Sequence, residues 1–540
     1  MDVFESYFPH PNAFVKDYKE NIEQAASFFD YGLSDDEIHR RSKELKERSF
    51  DKKALYHHLH TYNSSFLYNE KALEEIEKLK DSNAVMVVTG QQAGLAAGPL
   101  YTISKAITTL KQAQKQEKHL GIPVLPVFWI AGEDHDWEEV NHIFLPGSTS
   151  LKKFTYKGPF RPGVPVSEQT IEEDAIIKWW IELKEYLPET NHTKGIYYTL
   201  KKLAGRSYYY TDFFGEVMRW LFRDTGLIML DAHNPNLRAL EKDTFASLIK
   251  NHKTVQEAVE YGRKNREAAE YPLPEGLPQE GVHLFYHYRS QRHLLFERDS
   301  QSFTDKKGRA VFYKEELLDS LSSSPVSFSA NVFTRPLVQE KLLPVLTFIA
   351  GPGEINYWSM LQPLFHSFHV KVPPVYPRYE FTFIPRRIQS ILRHENLSAI
   401  QFLNGEADKI INRLQERAKK VDGGHMADVL LSEISPYHAK MREEWERLNP
   451  SEKSFGDKNW SLLKKNIMDL AKKIDGFQEN QEQCRLQKIR KTAQLLCPLN
   501  RPQERVFNIL YFVNKSGDDF VSRLNTLEFS ETVSHKIINL

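Results

Sequence analysis

Four consecutive residues, Glu133, Asp134, His135 and Asp136, have the side chains that move protons or hold cations. A carboxylate beside an imidazole suits general acid–base catalysis, and carboxylates also hold a substrate ammonium group. The run could instead bind a divalent metal with help from His233, but consecutive loop residues seldom direct all their side chains to one point. We therefore predict the four as catalytic residues and assign no metal, although a structural role for His135 is equally open.

A glycine-rich segment, residues 89–101, could approach a ligand through its backbone. Its glycines permit close contact, and Pro99 suits the first turn of a following helix, whose N-terminus would attract a carboxylate or phosphate. The spacing matches neither the P-loop nor the dinucleotide fingerprint, and a tight turn explains the glycines equally well. From this segment and the helix predicted after it, we predict the following substrate-binding residues: Gly90, Gln91, Gln92, Gly94, Gly98, Tyr101 and Lys105.

Three later segments supply further candidates. Arg335 and Arg378 could each take a carboxylate or phosphate in a bidentate manner, and a structural ion pair is the alternative, favoured slightly for Arg335. Tyr357 could line a pocket or simply pack at the start of a helix. The predicted substrate-binding residues of these segments are Asn331, Arg335, Gly353, Tyr357 and Arg378.

Short apolar runs precede these loops, at residues 84–88, 123–130, 227–230, 343–349 and 370–376. Apolar runs separated by helical patterns indicate buried parallel strands with crossover helices, which is an α/β, Rossmann-like fold. Ligands of such sheets bind beyond the carboxyl ends of the strands, where the candidate loops lie. We assign residues 1–384 to this core, with insertions at about 150–205 and 280–325.

Residues 385–497 have a different pattern. Apolar residues recur every three or four positions, as at Leu463, Ile467, Leu470, Ile474 and Phe477, which is the seam of a coiled coil. We predict an antiparallel helical domain, with residues 498–540 returning to the core. The seam could form a homodimer or a local bundle, and the pattern does not decide between them.

A basic neighbourhood could form where this arm leaves and rejoins the core. It would consist of Arg386, Arg490, Arg505 and Tyr511 and could hold a second nucleotide. A solvated helix face is the more usual explanation of such charges.

The composition narrows the function classes. The 540 residues contain 72 Lys+Arg and 72 Asp+Glu, a formal net charge of +0, so no basic excess points to nucleic acid. The two cysteines are too few for a disulfide framework, and no apolar run approaches the ~20 residues of a membrane span. The N-terminus lacks the pattern of a signal peptide, so we expect a cytoplasmic protein.

Four separated motifs together resemble the cysteine-adding enzymes of bacillithiol biosynthesis, the BshC family. They are Thr89-Gly-Gln-Gln-Ala-Gly-Leu with Gly98-Pro-Leu-Tyr-Thr, Pro126-Val-Phe-Trp-Ile-Ala-Gly-Glu-Asp-His-Asp, Arg335-Pro-Leu-Val-Gln, and Gly351-Pro-Gly-Glu-Ile-Asn-Tyr. The resemblance implies a ligase that joins L-cysteine to glucosaminyl-malate through an amide bond, the last step of the pathway. It also implies a core related to class I aminoacyl-tRNA synthetases and nucleotidyltransferases, and a coiled coil that forms a homodimer.

The resemblance further implies ATP, or another nucleotide, as the activating cofactor, although the His-Ile-Gly-His and Lys-Met-Ser-Lys-Ser signatures of synthetases are absent. In this interpretation Asp134 or His135 orients or deprotonates the sugar amine, and the Gly90–Gly98 loop, Lys105 and Arg378 bind malate carboxylates or phosphate. Two alternatives are a nucleotidyltransferase that activates a different small acid and a non-enzymatic coiled-coil assembly protein.

Overall fold

Five parallel strands form the central sheet. They are β1 (Val85–Gln91), β2 (Val124–Ile130), β3 (Ile228–Asp231), β4 (Val345–Ala350) and β5 (Val375–Pro377). Their order is β5-β4-β1-β2-β3, and Val88 of β1 lies between Val127 of β2 and Phe348 of β4. The strands are almost wholly buried because their apolar side chains are covered on both faces. The predicted Rossmann-like α/β class is confirmed.

The computed structural model describes residues 1–147, 151–278, 280–289, 291–416, 421–530 and 533–540, without the side chains of residues 415 and 416. It divides the chain into two units. The first contains residues 1–147, 151–383 and 503–538, and the second is built on residues 384–502.

Helices surround the central sheet. The two that carry most of the site are α1 (Leu100–Leu120), which follows β1, and α2 (Thr334–Leu342), which precedes β4; a short helix, α3 (Pro352–Trp358), follows β4. Before β1 the helices are Ala13–Lys19, Glu23–Ala26, Asp35–Lys46, Lys52–Ser64 and Glu70–Glu77. The others of this unit are Trp137–Val140, Glu173–Lys184, Thr193–Ala204, Tyr210–Leu221, Pro235–Leu240, Lys242–Lys250, His252–Ala268, Lys314–Ser323, Gln362–Ser367, Leu510–Ser516 and Phe520–Thr526.

Antiparallel strands lie outside the central sheet. One small sheet joins Phe328–Ala330, Leu284–Tyr288 and Gln291–Leu294, and a second joins Val311–Tyr313, Ser302–Thr304 and Phe296–Asp299. His142–Pro146 pairs with Leu151–Thr155, and a further sheet joins Asp2–Ser6, His535–Asn539 and Phe381–Ile384. Alternating side chains in residues 284–313 suit such half-covered sheets.

The second unit is helical. Its two long helices, α4 (Gly423–Leu448) and α5 (Ser454–Leu496), pack against each other, and the shorter ones are Arg386–His394, Ala399–Leu403 and Ala407–Glu416. Small residues make close approach possible, since a Cβ at Gly423 would lie 2.7 Å from the carbonyl oxygen of Ala471. The predicted seam is not the buried face within the chain, because Leu470 and Phe477 are 62% and 64% exposed.

Candidate active site

The acidic loop after β2 is held by close packing. Gly132 has no room for a side chain, because a Cβ there would lie 1.8 Å from Ser167 Oγ and 2.7 Å from Asp231 Oδ1. The Ser167 hydroxyl donates to the Asp231 carboxylate, with distances of 2.9 and 2.8 Å to its two oxygens. Since Asp231 ends β3, these contacts tie the loop to the neighbouring strand and present residues 133–136 at the carboxyl edge of the sheet.

At this edge of the sheet, the Asp134 carboxylate is surrounded by hydrogen-bond donors. Gln92 Nε2 donates to Asp134 Oδ2 at 2.7 Å, and the backbone N–H of His135 donates to Oδ1 at 2.8 Å. Arg292 Nη1 lies 3.4 Å from Oδ1 and 3.3 Å from His135 Nδ1. Thus Gln92, Asp134 and His135, three predicted site residues, meet in one place.

The electrostatics keep Asp134 ionised. Burial raises its pKa, but the hydrogen bond from His135, the charge of Arg292 and the hydrogen bond from Gln92 together hold the pKa well below its usual range. A carboxylate with so low a pKa is a weak base, so it is better suited to orient an amine than to remove its proton. His135 is 35% exposed and therefore accessible to a bound ligand.

The other two acids of the loop have different surroundings. Glu133 is buried and pairs with Arg238 at 2.6 Å, and Arg238 also binds Glu241 at 2.7 Å. Asp136 is exposed. The structure therefore separates the predicted catalytic quartet into a buried structural ion pair at Glu133, a polar centre at Asp134 and His135, and a surface carboxylate at Asp136.

The glycine-rich loop has a strained, tightly packed backbone. Ala96, Ala97 and Gly98 all have positive φ, at 47°, 72° and 66°, and a Cβ on Gly94 would lie 2.6 Å from Gly98 Cα. Non-glycine residues in this conformation persist only where their surroundings enforce it. Here Asn508 does so, because its Nδ2 donates to the carbonyl oxygens of Ala96 and Gly98 at 2.9 and 2.7 Å.

The predicted anion site at the start of α1 needs revision. The N–H of Leu100, the first residue of the helix, donates to the carbonyl oxygen of Phe507 at 2.8 Å. The C-terminal segment thus occupies the Leu100 N–H, one of the backbone donors that the sequence predicts to bind an anionic ligand. Gly94 and Gly98 are explained by packing.

Lys105 has a positioning role. Its ammonium group, 3% exposed, contacts the Gly90 carbonyl at 2.6 Å, Gln91 Oε1 at 3.0 Å and Glu354 Oε2 at 2.5 Å. Burial lowers its pKa, and the charge of Glu354 opposes that shift. All three contacts are with the protein, so we revise the prediction that Lys105 binds substrate: it ties the end of β1 to the start of α3. Gln91 Nε2 also lies 3.5 Å from the Tyr101 hydroxyl.

Arg378 and Asn331 are likewise satisfied by the protein. Arg378 donates to both carboxylate oxygens of Glu504, at 2.8 and 2.5 Å, and to Ser104 Oγ at 3.0 Å. Asn331 Oδ1 accepts from the backbone N–H groups of Phe333 and Thr334 at the start of α2, at 2.9 and 3.1 Å. We revise both predictions of substrate binding, because the contacts of both side chains hold the fold together.

Arg335 differs from these groups. It donates to Gln339 Oε1 at 3.1 Å and to the Tyr357 hydroxyl at 3.3 Å, and within the described ranges it makes no ion pair. Its positive charge is therefore not neutralised by a contacting carboxylate. Arg335 and Tyr357 remain suited to an anionic ligand, beside the exposed Gly353.

In the part of the chain that the structure describes, two groups of side chains have the composition of metal sites. Asp134, His135 and Asp136 form one, and Glu168, His233 and His287 form the other; within each group three ligand atoms lie within 4.8 Å of one another.

The residues of the suggested second nucleotide site are divided between the two units. Arg386 and Arg490 are exposed in the helical unit. Arg505 and Tyr511 belong to the first unit, where the Tyr511 hydroxyl contacts Lys515 Nζ at 2.5 Å. This second site stays a prediction.

Comparison with known proteins identifies the family. Residues 1–379 match the N-terminal Rossmann-like domain of bacillithiol biosynthesis BshC, and residues 381–540 match its C-terminal coiled-coil domain. The chain belongs to the BshC family. One relative, from Bacillus cytotoxicus, is 36% identical over 97% of this chain and 98% of its own length. Another, from Bacillus cereus strain Q1, is 36% identical over the whole of both chains, and both are named "Putative cysteine ligase BshC".

The resemblance to BshC noted in the sequence is thus confirmed over both domains. None of the helices in the described part of the chain combines the length and apolar content needed to cross a membrane.

Sequence reasoning missed two site residues of this BshC member. Arg292, in the strand Gln291–Leu294, reaches the acidic loop and stacks on Phe285, with its guanidinium carbon 3.7 Å from the ring centre. An alternating strand in an insertion gives no signal for such a role. Glu354, the partner of Lys105, lies inside a motif that carried the resemblance and could have been selected for that reason.

Proposed function

We propose that this protein is a cysteine ligase that acts in bacillithiol biosynthesis and joins the carboxyl group of L-cysteine to the amine of glucosaminyl-malate. The proposal rests on membership of the BshC family along the whole chain. The observation that carries the site assignment is the ionised Asp134, held by Gln92 and Arg292 beside an accessible His135. The comparisons support neither the nucleotidyltransferase nor the assembly-protein alternative.

Amide formation needs an unprotonated amine and an activated carboxyl group. In this proposal Asp134 receives the amine as an ammonium ion and orients it, and His135 accepts one proton before the nitrogen attacks the activated cysteine carbonyl carbon. The C–N bond forms as the bond from that carbon to the oxygen of the activating group breaks, and the leaving group departs with the electron pair while the nitrogen loses its second proton. Activation of that carboxyl is expected to require ATP or another nucleotide. A reaction that consumes ATP also favours the cytoplasm as the location.

The malate half of the acceptor carries carboxylates. Arg335 is the described cation of the site that lacks a contacting acid, so we assign it to one of these carboxylates, with Tyr357 alongside. A guanidinium can bind a carboxylate through two parallel hydrogen bonds.

We propose in addition that the protein is a homodimer formed through its helical unit. Large apolar side chains on α4 and α5 are exposed within one chain, including Tyr437 at 72%, Met441 at 72% and Leu470 at 62%. Exposed apolar surface of this kind marks an interaction site. Leu470→Glu is expected to shift the mass measured by light scattering from two chains to one. Gln481→Glu, which adds the same charge at an exposed polar position of α5, is the control and should stay dimeric.

The test of the ligase uses purified full-length protein with L-cysteine, synthetic glucosaminyl-malate and ATP, and mass spectrometry detects the amide. We expect product with the wild type, and a rate lower by about 10²- to 10⁴-fold with Asp134→Ala, the range typical for loss of a positioned acid–base group. Glu138→Gln, an exposed acid in the next turn, is the matched control and should keep wild-type activity.

The same variants are tested for complementation of a strain that lacks the gene. In the uncomplemented deletion strain, glucosaminyl-malate is expected to accumulate and bacillithiol to disappear. An unchanged thiol pool after deletion would contradict the assigned reaction. Full activity of a folded Asp134→Ala would contradict the assigned site but leave the reaction in place.

A further inference from the structure

A second polar cluster lies beside the acidic loop and has no part in the proposed reaction. His233 lies two residues after the end of β3, Glu168 belongs to a turn in the first insertion, and His287 belongs to the strand Leu284–Tyr288 of the second insertion. Three separate parts of the chain therefore bring two imidazoles and a carboxylate together. One potential ligand atom from each lies within 4.8 Å of the others.

The contacts between these groups are those of a partly assembled site. His233 Nε2 lies 2.8 Å from Glu168 Oε1, and the rings of His233 and His287 are nearly parallel, with centres 5.4 Å apart. His233 is only 4% exposed, yet its Nδ1 has no hydrogen-bond partner among the described residues. Nε2, which faces Glu168, is the ring nitrogen placed to bind an ion held between these groups.

The charges around the cluster are of both signs. Arg292 and Arg238 oppose a cation at this place. Glu168 and Asp231 favour one, and the N–H of His233 donates to Asp231 Oδ1 at 3.0 Å, which fixes the backbone of the ligand.

We propose that Glu168, His233 and His287 form a binding site for a divalent transition metal ion, with zinc as the ion expected. Imidazole nitrogens select zinc and its neighbours over magnesium and calcium, which prefer oxygen. Two histidines and one glutamate leave a fourth position open, the arrangement of catalytic rather than structural zinc.

The geometry requires only a small closure. Zinc binds nitrogen and carboxylate oxygen at about 2.0–2.2 Å, which places tetrahedral ligand atoms roughly 3.3 Å apart. Glu168, whose side chain is 43% exposed, can adjust without disturbing the core. Ser329 would support the site from behind, since its Oγ lies 3.2 Å from His287 Nε2.

The test measures binding and does not depend on ligase activity. Full-length protein is freed of metal with a chelator and titrated with Co²⁺, whose visible absorption reports four-coordinate binding, and Zn²⁺ is then added in competition. We expect one ion per chain in the wild type. In His233→Ala and His287→Ala the affinity for the ion should fall by at least about 100-fold. Glu168→Gln should lower affinity by at least about 10-fold, and it decides the matter if a histidine variant fails to fold.

Two further variants locate the ion. His366→Gln removes an exposed imidazole that pairs with Asp30, and it should bind like the wild type. Asp136→Asn reports on the neighbouring acidic cluster and should also bind like the wild type. The proposal is overturned if the wild type binds no Co²⁺ or Zn²⁺, if folded His233→Ala and Glu168→Gln bind normally, or if Asp136→Asn alone abolishes binding.

Discussion

The amino end and the carboxyl end of the central sheet both carry arginines, but these arginines have different surroundings. At the amino end, Arg41 is fully buried, pairs with Glu340 at 2.5 Å and donates to the carbonyl oxygen of Val345, the first residue of β4. Arg48 binds the same glutamate. At the carboxyl end, Arg335 donates to a tyrosine hydroxyl and an amide oxygen and forms no ion pair among the described residues.

Whether an arginine contacts an acid distinguishes a structural role from a ligand-binding role more clearly than the residue type does. An arginine that is paired with buried acids of the protein holds the fold, as at Arg41 and, on the carboxyl side, Arg378. An arginine without a contacting acid keeps its capacity for a ligand. Within one sheet edge, Arg378 and Arg335 therefore differ in role.

The largest effect is expected from Glu340→Ala. This change removes the buried acid that Arg41 and Arg48 share and leaves Glu44 as the remaining acid at Arg41, so the free energy of unfolding should fall by about 3–5 kcal/mol. Urea denaturation followed by circular dichroism measures it. Glu37→Ala, which removes the partner of the exposed Arg40, is the control and should cost less than about 1 kcal/mol. Equal losses of unfolding free energy in the two variants would show that the buried arginine pair stabilises the fold no more than the exposed one.

A satisfied polar pair on the carboxyl side should behave like the amino-end network. His283 Nδ1 lies 3.0 Å from Asn331 Nδ2, and burial, aided by the charge of Arg263, lowers the pKa of His283 from 6.5 to about 4. The unfolded state therefore binds more protons between these pH values, so stability is full above pH 6.5 and falls as the pH drops towards 4.

The His283→Gln variant tests this titration. The wild type should lose up to about 3 kcal/mol more than the variant on acidification across that window, measured by denaturation at several pH values. If the wild type and the variant lost the same free energy of unfolding on acidification, the Asn331–His283 pair would not be the structural unit that we infer.

The smallest effect on stability, but a clear one on catalysis, is expected from Arg335→Ala. Loss of one charged contact should raise the KM for glucosaminyl-malate by about 10- to 100-fold, equivalent to roughly 1.4–2.7 kcal/mol. Arg335→Lys should recover part of that loss. A fall in unfolding free energy as large as that of Glu340→Ala, with KM unchanged, would place Arg335 with the structural arginines.

Much of the fold could be predicted from the sequence because its determinants are local. Apolar runs such as those that form β2 and β4 must be buried on both faces, and the helical periods between them leave few arrangements other than a parallel sheet. The same logic brought the acidic loop and the Tyr357 segment to one edge, since the carboxyl ends of parallel strands meet there.

The partners of those side chains were decided only by the tertiary structure. Arg378 meets Glu504 across 126 residues, and Arg292 reaches Asp134 across 158. A hydrogen bond depends on separations of about 3 Å, which no spacing along the chain determines. The sequence by itself determined which groups reach the edge of the sheet, and the packing decided which of them are already satisfied and which remain able to bind a ligand.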